Sequence, residues 1–274
     1  MHQEKIDFLM TLLPNIRMKY LNQISTMVTV KEDTFDNIVT DIDLKIQEEL
    51  TSTLSARFPE ITFLAEENDL QEVSDQMWII DPIDGTKNFF RRNEDFALSI
   101  AYYEKRQPVF GFVYDIAKDL LYLGITGQGA WVNQKKMDRV KVRTLHESVL
   151  DMNLKTTFTL NAKKPGCVEM LSHEVFAHRS IGSAAISLCR IAAGSHEIYI
   201  SSHLKLWDFA AAQIVLEEVG GIVILPYEPN RQIAGKSVLL LGCSSSKLYE
   251  DLKAILFISE LTLPSKMNSN KNGE

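Results

Sequence analysis

The stretch 78-WIIDPIDGTKNF-89 places two carboxylates at the end of an apolar strand, with Asp81 at its tip and Asp84 three residues later, ahead of Gly85 and Thr86. Two carboxylates held about 4 Å apart repel by roughly 4 kcal/mol at an effective dielectric of 20, so one strand end that carries both points to a cation between them. Gly85 lets the backbone approach a ligand closely, and the amides of Gly85 and Thr86 can form an anion-binding nest. A metal beside an anion nest suits a phosphate ester. An Asp-Gly turn with Asp81 as a cap accounts for the same residues and stays open on this segment alone.

Three further segments supply acidic groups. The strand 62-TFLAEEND-69 ends in Glu66 and Glu67, which adds hard oxygen donors at a second strand end, although an acidic pair on a loop is ordinarily just solvated. In 206-LWDFAAAQIVLEEVGG-221, Asp208 opens an Ala-rich apolar helix that stops at two glycines. It fits an N-cap, yet so apolar a helix must be buried, and a carboxylate carried inward with it needs a partner or a metal. In 38-IVTDIDLKI-46, Thr40 and Asp43 share a helix face while Asp41 points elsewhere, so Asp43 can face a site or simply solvent.

Other chemistries find no support. There is no CxxC pair and no HExxH, and His2, His146, His173, His178, His196 and His203 have no ligand spacing, which removes zinc-type sites. GxSxG, GxGxxG and GxxxxGK[ST] are absent, removing α/β-hydrolase, Rossmann and P-loop readings, and 81-DPIDGTKNF-89 lacks the alternating oxygens of an EF-hand. The 29 basic residues are scattered and outnumbered by 36 acidic ones, giving −7, which argues against a nucleic-acid partner. Cys167, Cys189 and Cys243 are odd in number and widely spaced, as reduced cytosolic thiols would be. Asp7 and Pro14 interrupt the apolar residues of the N-terminus, and no run approaches the roughly 18 residues of a membrane span, so a soluble cytoplasmic protein with no membrane partner is expected.

These groups must be positioned by a chain of 274 residues with an ordinary globular composition, 45% apolar and 24% charged. Apolar spacing predicts a helix over 4–28 and another from about Asp36 through Leu50. From 61 to 149 short strand-like pieces separated by close polar turns predict an antiparallel meander at 61–67, 78–81, 96–103, 108–115, 119–124 and 129–133. Beyond Leu150 helices (166–173, 183–193, 208–219, 246–257) alternate with strands (near Arg179, 196–200, 221–225, 238–242), which implies an α/β lobe with a partly parallel sheet. The division expected is an α+β lobe over 1–150, an α/β lobe over 151–263 sharing an extensive interface with it, and a polar disordered tail over 264–274.

Taken in order, 39-VTDID-43, 65-AEE-67, 78-WIIDPIDGTKNF-89, 179-RSIGSAA-185 and 207-WDFAAAQIVLEEVGG-221 resemble the motifs of the inositol monophosphatase family, magnesium-dependent and lithium-sensitive phosphatases of sugar and nucleotide phosphates, in a bacterial-type member. The resemblance covers nearly the whole chain. It implies an α/β (α+β) fold, a five-layered αβαβα sandwich with an antiparallel-rich N-terminal sheet and a smaller mixed C-terminal sheet, often as a homodimer. It implies two or three Mg2+ ions: Glu66, Asp81 and the carbonyl of Ile83 at one, Asp81, Asp84 and Asp208 at a second, and Glu67 near a weaker third or behind it. A metal-activated water, oriented by Thr86 whose hydroxyl is hydrogen-bonded to Asp43, would attack phosphorus in line without a phosphoenzyme. Gly85 and Thr86 would donate amides to the phosphate, and the helix opened by Gly182, Ser183 and Ala184 would turn its N-terminus to the substrate, a small phosphorylated metabolite.

The sequence departs from that pattern where the substrate would sit. Inositol-specific members carry Glu seven residues before the WD aspartate; this chain has Ser201 there, and the segment brings in His203 and Lys205. The box also carries Lys87 where the family often has Thr. The expected activity is therefore hydrolysis of small alcohol phosphates such as inositol monophosphate, with an NADP or adenosine bisphosphate phosphatase as the alternative. A non-catalytic binding protein would need a broken site, and none of the matched metal positions is broken.

Overall fold

The computed structural model describes residues 2–21, 41–67, 74–227 and 236–256. Two helices, α1 (Gln3–Leu21) and α2 (Asp41–Arg57), lead into seven strands, β1 (Thr62–Ala65), β2 (Gln76–Asp84), β3 (Ala97–Glu104), β4 (Gln107–Asp115), β5 (Leu120–Ile125), β6 (Gly129–Val132) and β7 (Lys135–Lys136), with the short α3 (Thr86–Arg92) between β2 and β3. The strands form one sheet in sequence order. Every pairing is antiparallel except β1 with β2, which is parallel and departs from the expected meander.

The second sheet has the order β11-β12-β10-β8-β9, from β8 (Val149–Met152), β9 (Ala177–Arg179), β10 (Ile198–Leu204), β11 (Ile222–Ile224) and β12 (Val238–Cys243). It is mixed: β8 runs parallel to β9 and β10, while β12 is antiparallel to β10 and β11. Its helices are α4 (Leu154–Lys163), α5 (Cys167–Glu174), α6 (Ala184–Ala192), α7 (Leu206–Glu218) and α8 (Ser246–Leu256). The predicted first helix is described as far as Leu21; residues 22–28, the start of the second near 36–40 and the tail 264–274 lie outside the described residues.

Side-chain alternation along the strands explains the layering. In the first sheet Trp78, Ile80, Ile100, Tyr102, Phe110 and Phe112 share one core with Ile6, Leu9, Leu13, Ile42, Ile46 and Leu50 of α1 and α2. The opposite face, with Ile79, Ala101, Val113 and Tyr122, packs on α6 and α7. Those two helices are buried nearly all round, so each must be covered on both sides. The second cover is the inner face of the second sheet, with Tyr199, Val223 and Leu240. Its outer face, with Leu150, Ile198, Ile200 and Leu241, packs on Leu160, Leu171, Leu248 and Leu252 of α4, α5 and α8. The layers are thus helix, sheet, helix, sheet, helix.

How close α7 lies to the first sheet is set by a row of small residues. Cross-strand partners share a face, and the register aligns Ala101 with Gly111, Gly111 with Gly124, and Gly124 with Ala130. A methyl group added to Gly111 would meet the Ala211 backbone at 2.6 Å, and one added to Gly124 would meet the Val215 amide nitrogen at 2.6 Å. Ala211 and Val215 are one turn apart, so the sheet's small row and the helix's small face interlock. Ala211 meets the sheet with its backbone, and that close approach sets where Asp208, three residues earlier, stands in the first turn of α7.

Candidate metal and phosphate site

Asp81 and Asp84, three residues apart on one strand, would ordinarily project to opposite faces of the sheet. A bulge prevents this. In the pairing of β2 with β3, Asp81 opposes Ser99 and Asp84 opposes Ala97, so three steps on one strand face two on the other. Pro82, which has no amide to offer the ladder, lies inside the bulge, and the Ile83 amide donates to Asp81 Oδ1 at 3.1 Å. Both carboxyls are buried. The parallel pairing of β1, with Ala65 level with Ile80, sets Glu66 beside Asp81, and the Glu66 amide donates to the Ile80 carbonyl at 3.2 Å.

The carboxyls of Glu66 and Asp81 lie within hydrogen-bonding reach of each other, which ties their proton affinities together. Burial raises Glu66 to about 7, and the charges of Glu67, Asp84 and Asp43 push the same way against hydrogen bonding with Asp81. Glu66 keeps an exposed edge toward solvent, which screens it in part. Burial also lifts Asp81 well above the carboxylate range, reinforced by Glu66, Asp84 and Asp208. Asp208, half-buried, is raised by burial and by Asp84. The four carboxyls sense one another's charge, which is the property of a cation site whose ligands must deprotonate to bind. Among the described residues no three of them already close around a single point as a finished metal shell would. Hard oxygen donors gathered on a bulge, a strand end and a helix start nevertheless fit a divalent cation such as Mg2+.

Asp84 is held from the second half of the chain. Ser183 Oγ donates to its Oδ2 at 2.5 Å and the Ala185 amide at 2.6 Å, and Ser183 also caps α6 by accepting from the Ile186 amide at 3.2 Å. The first turn of α6 thus presents its donors to Asp84. Burial raises Asp84 to about 6 against these hydrogen bonds. Gly182, before the cap, is exposed, with φ +88 and the Asn88 amide group near its open side. Gly85 has φ +91, and a methyl group there would meet the Asp95 carbonyl at 3.0 Å and Ser183 Cβ at 3.1 Å, so the turn between β2 and α3 admits only glycine without strain.

The remaining predicted residues are brought close as well. Thr86 is the first residue of α3, and its hydroxyl donates to the Ile83 carbonyl at 3.1 Å instead of to Asp43 as expected. Asp43 is buried on the first turn of α2, near enough to Glu66 to raise it. Glu67 is half-buried, and burial raises its carboxyl. Asp208 is not the N-cap that the sequence suggests: α7 begins at Leu206, and Asp208 sits in its first turn, where Oδ2 accepts from the Lys205 amide at 2.8 Å. Thr40 lies outside the described residues, and Lys87 is exposed on α3. One positioning residue escaped the sequence reading. Gln47, buried one turn beyond Asp43, donates to the Glu67 carbonyl at 2.6 Å and accepts from the Glu67 amide at 3.0 Å, fastening the end of β1 to α2. Its spacing of four from Asp43 was the available signal.

The inositol monophosphatase family model matches residues 9–256. Inositol-1-monophosphatase of Bacillus subtilis is 34% identical over 209 residues, 74% of this chain and 78% of that protein. A solved structure of a dual specific inositol monophosphatase/NADP phosphatase bound with D-inositol-1-phosphate superposes with a TM-score of 0.82 at 26% identity, covering 95% of this chain and 98% of the other. An inositol monophosphatase/NADP phosphatase complexed with Mg2+ and phosphate gives 0.83 at 26% identity over 93% and 95%. Chain-long similarity of sequence and of fold leads to one assignment: the protein belongs to the inositol monophosphatase family and is a phosphatase, a phosphoric monoester hydrolase.

Proposed function

We propose that the chain hydrolyses small alcohol phosphates such as inositol monophosphate in a Mg2+-dependent reaction, by direct in-line attack of water. The observation that carries this reading is the set of mutually repelling carboxyls, Glu66, Asp81, Asp84 and Asp208, gathered beside the Gly85–Thr86 turn. Glu66, Asp81 and the Ile83 carbonyl would hold one ion, Asp81, Asp84 and Asp208 a second, and Glu67 would stand near a weaker third. Divalent cations held there would lower the pKa of a water and offset charge on the phosphate and the leaving oxygen.

The chain's own groups supply orientation. Asp84 is fixed by the first turn of α6, and Asp208 by the seating of α7 on Gly111 and Gly124. The Gly85 and Thr86 amides, at the start of α3 where no helical carbonyl faces them, are the proposed phosphate donors. The N-terminal turn of Gly182, Ser183 and Ala184 borders the same space and is the proposed substrate edge. The Thr86 hydroxyl, now donating to Ile83, keeps lone pairs that can accept from a water. A swing of that hydroxyl toward Asp43 would pass its proton to a buried carboxylate, making Thr86 and Asp43 a relay.

A second reading, a nucleotide 2′- or 3′-phosphatase acting on NADP or adenosine bisphosphate, is favoured by β10. Ser201 there is buried, 3.5 Å from Asn153 Nδ2, so it offers no carboxylate to sugar hydroxyls. A bulge follows, with His203 exposed at φ +67 and Lys205 beside Asp208. The discriminating experiment compares kcat/KM for inositol-1-phosphate and NADP at saturating Mg2+. A tenfold preference corresponds to about 1.4 kcal/mol of differential transition-state binding. A preference for inositol-1-phosphate supports the first reading, a preference for NADP the second, and no turnover of any phosphate ester contradicts both.

A further inference from the structure

We infer that the ion pair between Asp95 and Arg190 is a positioning device that sets the first turn of α6 on Asp84, and through it the divalent-cation site. Asp95 is buried in the loop between α3 and β3, at φ +53, a backbone conformation that side chains adopt rarely. Its carboxylate accepts from Arg190 Nη2, from Lys118 Nζ at 3.0 Å and from Arg92 Nη2 at 3.3 Å. Arg190 stands seven residues, two helical turns, after Ser183 on the same face of α6. Holding Arg190 therefore fixes both the rotation of α6 and its advance along its axis, the two quantities that place Ser183 Oγ and the Ala185 amide on Asp84.

A second route runs through the same residue. Asn88 Nδ2 donates to the Asp95 carbonyl at 2.9 Å and to the Ile181 carbonyl at 2.7 Å, tying the Asp95 loop to the turn that opens α6. That turn is braced from its other side by Asp151, which accepts from the Ile181 amide at 3.0 Å and from Ser187 Oγ. The Asp95 carbonyl also lies against Gly85. Asp95 thus touches the Gly85 turn directly and the Asp84 donors through Arg190, although neither Asp95 nor Arg190 is a ligand in the reading above.

The inference rests on Asp84 being a metal ligand, so the test separates the two. Mg2+ binding to the substrate-free full-length chain is measured by titration calorimetry for the parent, Asp84→Asn, Asp95→Ala, Arg190→Met, the double variant Asp95→Ala/Arg190→Met and Lys118→Met. The expected result is at least a tenfold loss of Mg2+ affinity in each single variant of the pair, no further loss in the double variant, and recovery of most of the affinity with Arg190→Lys. Lys118→Met, which takes a charge from Asp95 without touching α6, is expected to change affinity less than threefold. Lower thermal stability with unchanged Mg2+ affinity in Arg190→Met makes the pair structural only and overturns the inference, as does an equal loss in Lys118→Met. If Arg190→Met or Asp95→Ala fails to fold, Asp95→Asn, which keeps the side chain's size and the backbone contacts, takes its place with the same two outcomes. Undiminished Mg2+ binding by Asp84→Asn would instead refute the ligand assignment itself.

Discussion

Replacing Gly111 by Ala tests whether the seating of α7 controls the site. The added methyl group would lie 2.6 Å from Ala211 Cα and 2.7 Å from its carbonyl oxygen, whereas carbon contacts are comfortable from about 3.5 Å. The helix must retreat by about 1 Å, since both atoms are backbone and no rotamer change can make room. Overpacking of this kind costs about 1–3 kcal/mol. For a chain this long that lowers the melting temperature by roughly 2–5 °C. Asp208 lies three residues before Ala211 on the same helix and moves with it, and a misplacement of about 1 Å at a reacting centre can cost on the order of 10²-fold in rate. The assay pairs a thermal melt with kcat at saturating Mg2+. Because the obstruction is backbone, adding Ala211→Gly should not restore either quantity. A variant that melts within about 1 °C of the parent and turns over within about twofold of it would refute the close approach as the determinant of Asp208's position.

Asp81→Asn should abolish activity, because the residue would help hold both proposed ions, yet leave the metal-free chain folded and more stable at pH 8, since a repelling buried carboxylate is gone; activity within tenfold of the parent contradicts the assignment. Glu66 and Asp84 have folded-state pKa values raised by burial to about 7 and about 6, so their contribution to metal-free stability is full below their unfolded values and is lost as pH rises toward 7. His196, lowered by burial to about 4, acts oppositely, losing stability as pH falls from about 6.5. The melting temperature of the parent in chelator should therefore fall more from pH 5 to pH 8 than that of Asp81→Asn, and saturating Mg2+ should flatten the parent's fall while leaving the variant's nearly unchanged; identical slopes in chelator would contradict the coupling. Thr86→Ala and Asp43→Asn should each lower kcat by roughly 10²- to 10⁴-fold with little change in Mg2+ affinity, and the double variant should be scarcely worse. Multiplying losses would mean that the two residues do not form a relay.

The carboxyl set was readable because its chemistry is local: Asp81, Asp84, Gly85 and Thr86 lie within six residues of one motif, and Glu66 and Asp208 sit beside strongly apolar elements. What brings them together was not local. The bulge that turns Asp81 and Asp84 to one side depends on pairing with Ser99 and Ala97, although Pro82 was a clue to it. The role of the Ala-rich helix was legible as burial but not as close approach, because Gly111 and Gly124 meet it only after two strands pair in register. The strand β8 (Val149–Met152) and the helix α4, 154-LKTTFTLNAK-163, went unread. Threonines at 156, 157 and 159 weaken the helix's local propensity, while Asn153, whose side chain accepts from the Thr156 amide at 2.8 Å, was a start signal hidden by them. The turn at Gly182–Ala184 was found by motif, but that its donors reach Asp84 required the fold.

The most direct test of the central account is phosphate release from inositol-1-phosphate by the purified chain, followed as Mg2+ is titrated into chelated protein, with Asp81→Asn alongside. The account predicts no release in chelator, saturable activation of the parent by Mg2+, and none in the variant at any Mg2+ concentration. Release in chelator, or equal activation of Asp81→Asn, would contradict it.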